Sequence, residues 1–173
     1  MDYRFRNQSR RKNFMMLQGT ITDIQAAGNG GRGGGCSQFV TMELEDGSIV
    51  NFVVTADTYV VNYDNLSVGM EVMFFYDADA PMILIYPPQY QAVAVAQVTP
   101  GQNVTVSFFD RNLVSSDGRL QLNLDRNVPV RTVNNQTFTG NPANRYLLAV
   151  YDRTTRSIPA QTTPQLVVVL CNA

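Results

Sequence analysis

Residues 39–54 read FVTMELEDGSIVNFVV. Val40, Met42 and Leu44 alternate with Phe39, Thr41, Glu43 and Glu45, the period of a strand with one buried face. Asp46-Gly47 then supplies a tight hairpin turn into a second strand, Ile49 to Val54. Outward from this hairpin, short runs of period two recur from residue 14 onward, and no stretch carries an apolar repeat at helical spacing. The 21 valines agree, because β-branched side chains suit a pleated surface better than a helix. The expected fold class is all-β.

Before the hairpin, a strand is predicted over Phe14 to Gln25, with Leu17, Gly19 and Ile21 on one face and Gly19 letting the strand bend. The stretch AAGNGGRGGG between them is too rich in glycine to pack, so replacing it with a shorter turn is expected to leave the melting temperature nearly unchanged. After the hairpin come Tyr59 to Tyr63, the turn DNLSVG, a strand over Met70 to Tyr76, a break at Pro87-Pro88, and a strand over Tyr90 to Val98.

The pattern then starts again. Asn103 to Asp110 reads as a strand, Asp117-Gly118 turns into Leu120, Leu122 and Leu124, Arg145 to Tyr151 is a strand, and IPAQTTP precedes Leu166 to Leu170. The landmarks keep their order: DGSIVNF at 46–52 with DGRLQLNL at 117–124, Tyr76-Asp77 with Tyr151-Asp152, Pro88-Gln89 with Pro164-Gln165. The expectation is two related small Greek-key barrel halves in tandem: a basic arm over 1–12, an acidic barrel over 13–100 and a basic repeat over 101–173.

With five or six strands, a glycine in a bending first strand and the turn LSVGMEV before the fourth, residues 14–98 resemble an OB-fold. They depart from it in offering no helix between the third and fourth strands. The whole chain, through NPANRYLLAVYDRTTRSIPAQTTPQLVVVLC at 141–171, also resembles a group of short proteins from clostridial Firmicutes. That likeness brings no function with it.

Charge is partitioned more sharply than the net value of −1 suggests. Arg4, Arg6, Arg10, Arg11 and Lys12 stand against Asp2 in the arm; Arg32 stands against nine carboxylates over 13–100; seven arginines stand against four aspartates over 101–173. A basic arm, an acidic half and a basic half therefore share one chain. No run of some 20 apolar residues and no apolar leader is present, so a cytoplasmic protein off the membrane is expected, with a spore layer as a second location.

The chain has no histidine and one lysine, which excludes histidine triads and histidine metal sites; no catalytic residue, cofactor or metal is expected. Asp77 with Asp79 and Glu45 with Asp46 are neighbours on single turns rather than carboxylates across a cleft, so they read as solvated turn residues. GNGGRG at 28–33 matches the dinucleotide pattern GxGxxG, but a strand follows it where the pyrophosphate site needs a helix. Cys36 and Cys171 read as free thiols, with an intermolecular disulfide as the alternative. The sequons at Asn7, Asn65, Asn103 and Asn135 carry no weight without a secretory signal.

Two functions follow. The first is a non-enzymatic structural or adaptor protein that binds protein or another copy of itself, as a homo-oligomer, its acidic half meeting the basic half or arm of a neighbour. The second is a single-stranded nucleic-acid module. Its contacts would be Arg4, Arg6, Arg10, Arg11, Lys12, Arg111, Arg119, Arg126, Arg131, Arg145 and Arg153, with Phe108, Phe109, Tyr146 and Tyr151 as stacking rings.

Overall fold

The computed structural model describes residues 12–27 and 34–173. Arg4, Arg6, Arg10, Arg11 and the GNGGRG stretch fall outside the described residues. The fold is all-β; its one helical segment among the described residues is a 3-10 turn at Val61–Tyr63. Hydrogen-bonded pairing falls into two sets, one within 14–97 and one within 103–169.

The first set contains β1 (Phe14–Ala27), β2 (Ser37–Leu44), β3 (Ile49–Thr55), β4 (Tyr59–Val60), β5 (Glu71–Asp77), β6 (Gln89–Gln91) and β7 (Ala94–Gln97). The hairpin read from DGS is present, with Val40 opposite Phe52 and Gly47 at a φ of +84°, where a side chain would be strained. β1 pairs antiparallel with both β2 and β5, and Gly19 is the point where that is feasible. A Cβ there would collide with the Glu43 carbonyl and stand 2.9 Å from Met42 Cγ.

The strand predicted over Tyr90 to Val98 is two pieces with different partners. β6 runs parallel to β3, and β7 runs antiparallel to β5. The change takes one peptide step: the Ala92 N–H donates to the Val53 carbonyl at 3.0 Å and the Val93 N–H to the Phe75 carbonyl at 2.8 Å. That step closes the ring β1, β2, β3, β6/β7, β5 and back to β1, the pairing scheme of a five-stranded Greek-key barrel. Between the third and fourth ring strands, β4 lies parallel to β7 in place of a helix.

The second set contains β8 (Asn103–Phe109), β9 (Leu120–Leu122), β10 (Val130–Thr132), β11 (Arg145–Tyr151), β12 (Ala160–Thr162) and β13 (Leu166–Val169). The second set divides into a four-stranded sheet, β10-β13-β11-β8, and the pair β9 and β12, and several pairings of the first set have a counterpart here. β8 with β11 answers β1 with β5; β11 with β13 answers β5 with β7; parallel β9 with β12 answers β3 with β6; parallel β10 with β13 answers β4 with β7. The short bridges Phe109 to Ser115 and Val114 to Gln121 stand where β2 stands in the first ring.

Three buried layers follow from strand alternation. Inside the first ring lie Ile21, Met42, Phe52, Val72, Phe74 and Val95, with the Phe52 and Phe74 rings stacked at 4.2 Å. Inside the second lie Phe109, Leu120, Leu122, Leu147, Val167 and Val169. The alternate residues of the same strands, Met73, Phe75, Ala94 and Ala96 from one set and Leu148, Val150 and Val168 from the other, form a third layer between them. β5 and β11 are therefore apolar on both faces, which is why EVMFFYD and RYLLAVY show so little alternation.

Candidate binding faces

In the second set, β9 and β12 expose one face to solvent. Leu120, Leu122 and Thr162 point inward, whereas Gln121 and Gln161 between them stand outward. The outward amides make a row engaged in two separate pairs: Gln121 Nε2 donates to the Asn112 carbonyl at 3.1 Å, and Asn123 Nδ2 to Gln161 Oε1 at 3.3 Å. The Gln161 N–H donates to Thr155 Oγ1, and the Thr155 hydroxyl meets Ser157 at 2.7 Å.

Arginines border this row from three connections. Arg111 sits in the turn after β8, which Asp110 shapes by accepting the N–H groups of Asn112 and Val114. Arg119 closes the hairpin turn, its N–H held by Asp117 at 3.0 Å and its carbonyl accepting from Ala160. Arg153 and Arg156 belong to the connection from β11 to β12, where the Arg153 carbonyl accepts the Thr162 hydroxyl. All four are exposed. Arg156 was passed over by the sequence reading; only its place in this connection sets it apart.

Two of the other predicted contacts are engaged elsewhere. Arg131 donates from Nη1 to Thr137 at 3.1 Å, and Arg145 donates from Nε to the Asn141 carbonyl while its guanidinium lies 4.9 Å over the Phe138 ring. Both hold the connection between β10 and β11. Arg126 is exposed in the turn after β9, and the Lys12 N–H donates to the Tyr146 hydroxyl at 2.8 Å. The predicted stacking rings are placed elsewhere as well. Phe109 is fully buried, Tyr146 sits edge-on to Phe14 and Phe108 at 5.3 and 5.4 Å, and the Tyr151 hydroxyl meets Thr105. The cause is alternation: an aromatic on a strand buried on both sides finds a wall whichever way it points.

The corresponding connection in the first set, from β5 to β6, has the opposite character. Met82, Ile83, Leu84, Ile85 and Tyr86 are 42, 74, 96, 54 and 83% exposed. Met82 and Ile83 also line a groove of about 370 Å³, together with Val53, Tyr90, Val93, Lys12 and Asp77. Sequence reading passed over this run, since an apolar stretch without alternation normally lies inside. Cys36 and Cys171 are both free and exposed. No helix among the described residues is long and apolar enough to cross a membrane.

No family model and no curated protein matches the chain. Among solved structures, a crystal structure of a deletion mutant of the single-stranded DNA binding protein from Thermus aquaticus is similar over 94% of this chain and 94% of its own, at 14% identity and a TM-score of 0.31. The ring topology described above rests on the chain's own hydrogen bonds.

Proposed function

We propose that the protein is a non-enzymatic binding module of two barrel units, 13–100 and 101–173, behind a basic arm, and that it holds a single-stranded nucleic acid along the exposed face of β9 and β12. The observation that carries this reading is that three connections bearing the exposed Arg111, Arg119, Arg153 and Arg156 adjoin, through their backbones, one face of amide and hydroxyl groups. Barrels of this topology bind oligomers on the face of their second and third strands and in the connections from first to second and from fourth to fifth; β9 is the third strand of its unit, Arg111 follows the first strand, and Arg153 and Arg156 lie between the fourth and the fifth. With the rings of the unit packed inside, the contact is one of guanidinium groups with phosphates and of amides with base edges or sugars.

Such binding is salt-dependent, because each neutralised phosphate releases condensed counterions. Fluorescence anisotropy of a labelled single-stranded oligonucleotide across a salt series tests it. The triple substitution Arg119→Ala, Arg153→Ala, Arg156→Ala is expected to flatten the slope of log K against log salt by roughly 2, at about 0.7 per contact. Absence of binding at low salt, or a slope unchanged in the triple variant, would overturn the reading. Self-association is a second reading, favoured by the exposed run Met82–Tyr86.

A further inference from the structure

We infer that the protein pairs with a second copy of itself through the connection from β5 to β6 and the groove at its foot, a surface separate from the arginine-bordered face. Apolar side chains scattered singly over a surface are ordinary, but five large ones in succession are not. Left in water, each forgoes about 25 cal/mol per Å² of apolar area. The run MILIY is uncharged and rich in branched residues, a composition prone to uncontrolled pairing, and Pro81 and Pro87-Pro88 bound it on both sides. The prolines stop extended pairing from running further, which suits a closed contact of fixed size.

The occupant follows from the shape of the rim. A protruding apolar tip and an apolar recess lie side by side: Met82 and Ile83 line the groove, whereas Leu84, at 96% exposure, and Tyr86 stand clear of it. A two-fold axis beside the connection lets the tip of each copy enter the groove of the other, an isologous contact that closes at two subunits. Charge permits that axis. The groove is lined by one cation, Lys12, and one carboxylate, Asp77, whose Oδ1 accepts the neighbouring Asn13 N–H, so the two charges balance within each copy and the groove brings no net charge to the contact. The five side chains offer on the order of 600 Å² per copy, most of the ~800 Å² that a standard interface takes from each partner.

The matching connection of the second unit keeps one such residue, Ile158 at 94% exposure, among Arg153, Thr154, Thr155, Arg156 and Ser157. The pairing surface is thereby confined to one end of the molecule.

Light scattering of the full chain over a range of concentrations tests the inference. The unaltered protein is expected to be a dimer that survives salt high enough to strip an oligonucleotide, which separates this contact from the proposed nucleic-acid face. Leu84→Asp, a change at an exposed tip that leaves the melting temperature in place, is expected to raise the dimer dissociation constant at least about thirtyfold, as for a central interface residue. A monomer at the highest soluble concentration, or a Leu84→Asp protein that dimerises as tightly as the original, would overturn it. So would a monomer that sediments with anionic phospholipid vesicles in a Leu84-dependent way, which would give the connection to a bilayer.

Discussion

Phe75 and Val150 occupy matching positions in two antiparallel pairings. Phe75 stands opposite Ala94 across β5 and β7, Val150 stands opposite Leu166 across β11 and β13, and both side chains are buried in the layer between the two rings. A contact built from equivalent positions of two similar units is the internal counterpart of an isologous interface. It also means that either unit, taken alone, would expose an apolar sheet face. Phe75→Ala is expected to cost about 3–5 kcal/mol, the price of emptying a buried aromatic site. Denaturant unfolding should remain a single transition, and residues 13–100 expressed without the rest should aggregate. Two separate transitions in the intact chain would mean that this layer does not couple the units.

Gly19 offers a narrower test. Its neighbour Thr20 is exposed, whereas a Cβ at Gly19 would meet the Glu43 carbonyl, part of a strand that is itself held by β3. Backbone on both sides has little room to yield, so Gly19→Ala should destabilise by roughly 1–3 kcal/mol and lower Tm by several degrees. Thr20→Ala should leave Tm within a degree or so, since surface changes commonly stay within ~0.5 kcal/mol. Equal melting of the two variants would show that β1 can draw away from β2.

Much of this framework was legible in the sequence, and the reasons are local. Asp46-Gly47 and Asp117-Gly118 announce hairpins because the glycines adopt a positive φ, +84° and +73°. Tyr76 and Tyr151 match because register carries them to equivalent places: Val72 opposite Gln97 answers Leu147 opposite Val169. The landmark pair Pro88 and Pro164 slipped, since Pro88 precedes β6 but Pro164 falls between β12 and β13, where the link is one residue longer than Ala92-Val93. The run Tyr59 to Tyr63 is a strand only over Tyr59–Val60, and β10 was missed, because strands of two or three residues exist only through their tertiary partner, β7 or β13. The binding faces were less legible still. Arginine counts cannot distinguish Arg119, at the border of an exposed face, from Arg145, stacked on Phe138.

That distinction is measurable. Arg145 is engaged by a hydrogen bond to the Asn141 carbonyl and by the Phe138 ring, so Arg145→Ala should destabilise by about 1–2 kcal/mol through both losses. The Arg119 contacts come from its backbone, which alanine preserves, so Arg119→Ala should leave Tm unchanged while weakening oligonucleotide binding. The reverse pattern, stability lost at Arg119 and binding lost at Arg145, would place the binding face over β10 and β11 instead.

The last prediction concerns alkaline stability. Tyr59, on β4, is buried with its ring edge-on to Tyr63 at 6.0 Å. Burial, followed by the neighbouring Tyr63 phenol, pushes its pKa up from 10.0 to about 12. Burial, then Tyr90, whose ring stacks at 4.1 Å, raises Tyr76 in the same direction. Both phenols are neutral below pH 10 in the folded and unfolded chains alike, so there they leave stability independent of pH. Above it the unfolded chain releases protons that the folded chain retains, and stability falls as pH rises toward 12. The denaturant midpoint should therefore decline through that window, and Tyr59→Phe should flatten the decline without altering the midpoint's pH dependence below it. A decline as steep in the Tyr59→Phe protein would locate the alkaline transition in other groups.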